Sequence, residues 1–152
     1  MFIIAHLMKA QSLSSESAYN DLGAPMDSSN GSDSLSYLRQ SLEKQIDEYV
    51  YVFPDWATGN PIPPERIAAG LAEMRASLID PYWVDVEIRD TFEQCGMSSG
   101  PRRRCVVVAD DRKGMWLLFD PPEQSFVLAR RTDTGLVTFN VRGDAVGCFL
   151  AR

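Results

Sequence analysis

Histidine is almost missing from this sequence: His6 stands alone among 152 residues. A serine or cysteine nucleophile needs a positioned base, most often an imidazole, so a Ser-His or Cys-His hydrolase is disfavoured. A histidine-based zinc site is disfavoured with it. Cysteine is scarce as well. Cys95, Cys105 and Cys148 are scattered without a C-x-x-C pair, whereas zinc and iron–sulfur centres draw on close ligand pairs. An odd count points to a reducing compartment. Cys105 and Cys148 fall in expected strands as small hydrophobes, which leaves Cys95, ahead of Gly96, as the thiol expected in a loop. No G-x-x-x-x-G-K or G-x-G-x-x-G is present, so neither familiar nucleotide-phosphate loop is available. No stretch approaches the ~20 apolar residues of a membrane-spanning helix. The apolar start, Met1–Met8, lacks the basic flank and cleavage site of a signal peptide, and Met8 or Met26 is an alternative start. These absences lead to the expectation of a cytoplasmic protein with no catalytic residue, metal, cofactor or membrane contact.

What is present is an ordinary globular composition, 45% hydrophobic and 24% charged, in a chain long enough for one domain with its own core. The net charge of −6 is unevenly placed. Residues 1–80 carry eleven acids against five bases, and residues 81–152 carry ten of each. Such a surface repels a phosphate backbone and disfavours nucleic acid. It speeds encounter with a basic protein instead. Arg102, Arg103 and Arg104 alternate across a strand, so they form no single patch, and they are expected to pair with the chain's own carboxylates.

Residues 1–33 are expected to form a flexible tail: eight serines lie between Ser12 and Ser34, with few apolar residues. Residues 34–152 then form one domain. Leu35, Leu38, Leu42, Ile46 and Tyr49 recur at helical spacing and predict a helix over about 34–50, capped by Asp33 or Ser34. Pro63 and Pro64 open a second helix over about 64–79, with Ile67, Leu71, Met74 and Leu78 as its stripe and Pro81 beyond its end. From about 82 to 150 the period changes to two. Val84, Val86 and Ile88 alternate with Asp85, Glu87 and Arg89, and short apolar runs follow at 104–109, 115–119, 125–130, 136–142 and 145–150. The intervening turns are too short for parallel crossovers. The fold class is therefore α+β: two N-terminal helices packed on one face of a five- to six-stranded antiparallel meander.

Two surfaces stand out as candidate partner-binding sites. Trp83, Asp85 and Glu87 share one strand face, where tryptophan beside carboxylates suits a lysine- or arginine-rich partner. Asp47, Glu48, Asp55 and Trp56 surround a connector carrying four aromatics in eight residues, Tyr49, Tyr51, Phe53 and Trp56. Arg142-Gly143-Asp144 spells an adhesion tripeptide, but Gly-Asp is also a hairpin turn. In size, acidity and helices-then-sheet order, the chain resembles bacterial immunity proteins that neutralise secreted toxins and chaperones that mask secreted effectors. That resemblance is one of type, and no site residue carries over from it. It implies a small acidic binding protein that inhibits or masks one basic protein partner. The alternatives are a dimeric effector chaperone and a carboxylate enzyme, with or without magnesium, using Asp85, Glu87 or Asp120.

Overall fold

The computed structural model describes residues 31–152, apart from 54, 56, 57 and 96–98. Helix α1 spans Gly31–Asp47. It starts earlier than the caps predicted, so that Asp33 and Ser34 fall in its first turn. The rest of the expected tail lies outside the described residues. Leu38, Leu42 and Ile46 form the buried stripe of α1, each stabilising the domain by roughly 1.5–3 kcal/mol through burial. Helix α2 spans Pro64–Ser77, with Pro63 at its N-cap and Pro64 as its first residue. Its inner face is Ile67, Met74 and Ser77.

Strand β1, Leu78–Glu87, follows α2 without a loop. Pro81 thus lies inside β1 and not in a helix-ending turn. The pairing with β2 shifts between Leu78 and Tyr82, and such an irregularity accommodates a residue with no N–H to give to the ladder. A short helix α3, Phe92–Cys95, follows. Then come β2 (Arg102–Asp110), β3 (Met115–Asp120), β4 (Ser125–Thr132) and β5 (Gly135–Gly143). Neighbours in sequence pair antiparallel throughout, as the short turns require. The meander does not stay open. β1 and β5 meet in parallel at Val86↔Leu136 and Glu87↔Val137, closing a five-stranded barrel.

Closure gives the sheet two cores. Val86, Ile88, Cys105, Val107, Leu118, Val127, Ala129 and Leu136 fill the barrel. On the outside, Val106, Val108, Leu117, Phe119, Phe126 and Leu128 pack against α1, Met74 of α2 and the C-terminal residues. This two-sided burial is why β2 to β4 carry unbroken apolar runs in place of alternation. The last expected strand, 145–150, is instead helix α4, Ala145–Leu150. The Asp144 carboxylate accepts a hydrogen bond from the Gly147 amide at 2.7 Å, capping α4. The expected hairpin turn at Gly143-Asp144 is thereby replaced by a strand-to-helix turn, and Cys148 sits on a helix. Among the described residues no helix is long and apolar enough to cross a membrane.

Candidate functional site

The outward row of β1 holds Trp83, Asp85 and Glu87 on one face, as the alternation predicts, but their surroundings differ. Trp83 is half-buried against the outer core, and the Arg104 guanidinium lies 5.1 Å from its ring centroid, within cation–π range. Asp85 is exposed and stands opposite Arg104 in the ladder. Glu87 is only 7% exposed. Its Oε1 accepts from the Gly100 amide at 2.7 Å and from Arg89 Nε at 2.7 Å. The Gly100 amide, followed by Arg89, holds the Glu87 carboxyl below the usual carboxylate range. Glu87 therefore ties down the β1–β2 connection, and the solvent-facing acid of this row is Asp85. Arg102 faces Glu87 across the ladder, so the outer face of β1 and β2 interleaves both signs of charge.

The second group follows α1. Asp47 is exposed and pairs with Arg75, and Glu48 is exposed with Lys44 at 3.9 Å. Asp55 is exposed; Trp56 lies outside the described residues. Between these acids, burial alternates residue by residue. Val50 and Val52 are 70% and 66% exposed, while Tyr51 and Phe53 are half-buried. The Tyr51 hydroxyl accepts a hydrogen bond from the Ile62 amide at 3.2 Å, fastening the connector to its return limb. Sequence reasoning singled out the aromatics of this stretch and passed over the valines. The signal was the period-two string Val50-Tyr51-Val52-Phe53, in which the aromatic positions point inward and the aliphatic ones outward.

A third group was not foreseen as a unit. At the end of the barrel where β3 stops and β4 begins, the fully buried Asp120 accepts from Arg103 Nη1 at 2.6 Å and from Arg142 Nη1 at 2.8 Å, both on Oδ2. Arg103 also reaches Glu123. Arg142 further donates to Ser125 Oγ and Asp90, and Asp90 accepts from the Thr138 hydroxyl. Arg103 thus pairs with the chain's own carboxylates, and the Arg142-Gly143-Asp144 tripeptide is consumed by this network and the α4 cap. Cys105 lies nearby, its thiol pushed up to about 12 by burial and secondarily by Asp120. Burial also pushes the Cys148 thiol up to about 12. Both thiols stay protonated near neutral pH and are poor nucleophiles. The side chain of Cys95 lies outside the described residues.

Among the described residues no group of three or more histidine, cysteine, aspartate or glutamate side chains is placed to hold a metal ion. No family model, curated protein or solved structure matches the chain.

Proposed function

We propose that the chain is a small binding protein that occludes one basic protein partner, in the way an immunity protein covers a toxin. The observation that carries this reading is the acid-rimmed apolar connector: Val50 and Val52 turned outward between Asp47, Glu48 and Asp55. Large apolar side chains held in water and ringed by charge mark interaction surfaces in soluble proteins. The acids steer a basic partner inward, and the valines hold it by losing water. The anchoring of Tyr51 lowers the ordering cost of that contact.

The carboxylate-enzyme reading draws less support. Glu87 is held ionised by the Gly100 amide and Arg89, which suits a structural anion better than a general acid. Asp120 is clasped by two arginines. The barrel interior is occupied by aliphatic side chains, as expected of so few strands.

The test is capture of the tagged full chain from its native cells at low salt, followed by kinetics on the recovered partner. Asp47, Glu48 and Asp55 changed together to Lys should slow association and flatten its salt dependence. Val50→Ser with Val52→Ser should speed dissociation by on the order of 100-fold, since a fully buried valine is worth about 1.5–3 kcal/mol. A captured partner indifferent to both sets of changes sinks this surface as the binding site.

A further inference from the structure

Among the described residues, the connector after α1 differs from the other period-two segments in having no strand beside it. Among the described residues, the main-chain N–H and C=O groups of residues 50–53 have no hydrogen-bonded partner. Their side chains nevertheless alternate in and out as those of a strand do. The inward pair fixes the segment, Tyr51 through its hydroxyl on the Ile62 amide. The outward pair is valine, a residue that fits a pleated, half-covered surface. Asp47 and Glu48 precede the segment and Asp55 follows it, all exposed. Among the described residues Asp55 has no ion-pair partner, Glu48 pairs with Lys44 at 3.9 Å and Asp47 pairs with Arg75.

We infer that residues 50–53 are a docking edge onto which an extended, lysine- or arginine-bearing segment of the partner adds as a strand. Main-chain bonds supply the pairing, Val50 and Val52 pack against alternate side chains of the incoming segment, and the flanking acids select a basic one. This inference rests on the binding reading above and names its mode. Another open edge, on β1 before Val86, is less suited. Pro81 and the irregularity at Leu78–Tyr82 interrupt its ladder, and such features blunt an edge against pairing.

The experiment is an amide-resolved NMR titration of the full chain with the peptide acetyl-KVKVKVK-amide, alongside an analogue methylated at every amide nitrogen. The analogue keeps the charges and side chains and removes the main-chain donors. The inference expects shifts centred on residues 50–53 and slowed amide exchange there. It also expects at least a roughly tenfold weaker fit of the methylated peptide, since its main-chain hydrogen-bond donors are lost. Equal binding of both peptides at 47–55 overturns strand addition and leaves the binding surface standing. Indifference of this region to either peptide also overturns strand addition, and the partner kinetics of the valine double variant then decide the surface by themselves. Amides at 50–53 already protected in the free chain overturn it in favour of the chain's own first thirty residues as occupant. Protection that grows with protein concentration overturns it in favour of a second copy.

Discussion

Inside the mouth of the barrel, Arg142 donates to Asp120 at 2.8 Å, and the carboxylate it touches has no exposed surface. Removing that carboxylate takes a partner from two mostly covered guanidinium groups, leaving Arg103 with Glu123 and Arg142 with Asp90. Breaking one side of a buried pair costs about 3–5 kcal/mol, and partial exposure of the arginines places Asp120→Ala near the lower end. Arg103→Met should cost less, because Arg142 still serves Asp120. Urea midpoints at constant slope measure both, and an Asp120→Ala loss under about 1 kcal/mol would contradict the network's structural role.

Acid sensitivity should trace in part to Glu73. Hydrogen bonds from Lys113 and then Arg152 lower its carboxyl from the ordinary 4.5 to about 2. A carboxyl depressed on folding contributes stability that is fully present above pH 4.5 and is lost as pH falls toward 2. Glu73→Gln should therefore flatten the stability profile between these values and leave its shape above pH 5 unchanged. Denaturation midpoints taken at half-unit pH steps measure this, and parallel profiles for the two proteins argue against the assignment.

Asp144→Ala should lower stability by about 1 kcal/mol, the usual loss for an N-cap. Asp144→Asn should largely restore it, since an amide oxygen also accepts from Gly147. The asparagine variant escapes a further cost, because burial raises the Asp144 carboxyl above its normal range. Thermal unfolding of the pair distinguishes a cap from a charge effect: equal losses in both variants would mean that the charge matters more than the acceptor.

Tyr49→Phe should hold stability level or raise it by up to about 1 kcal/mol, because a buried polar group without a partner is costly. The Tyr49 hydroxyl is buried with no hydrogen-bond partner among the described residues. Burial, followed by the nearby Asp144, pushes it up to about 12. A clear loss in chemical denaturation would show that the hydroxyl is satisfied in solution.

The two long helices were legible because their stripes carry a single period: Leu38, Leu42 and Ile46 can bury only on one side. The meander was legible because Asp120-Pro121-Pro122 and Thr134-Gly135 leave no room for crossovers. Two features were not. Barrel closure depends on a contact between Val86 and Leu136 that no local pattern announces. The continuous runs at Cys105–Ala109 and Phe126–Ala129 did hint at a sheet buried on both sides. Ala145–Leu150 is too short and too uniformly apolar for its period to show, and Gly143-Asp144 fits a hairpin turn as well as a helix cap. At the candidate sites, Asp85 lies on the wet face that the alternation of β1 predicts. The burial of Glu87 was not legible, because its partner Gly100 carries no side chain to signal the bond.

The seam joining β1 to β5 is two rungs long, while it closes the largest loop in the sheet. Its main-chain bonds gain little for the chain entropy they fix, so closure leans on Asp90, bound to Thr138 and Arg142 of β5, and should come last in folding and open first in the native protein. An opened seam turns the ring into a ribbon with two raw edges, baring Val86 beside one and Leu136 beside the other. In a crowded solution those edges match each other across molecules as well as within one, and swapped pairs become the characteristic way for this fold to go astray.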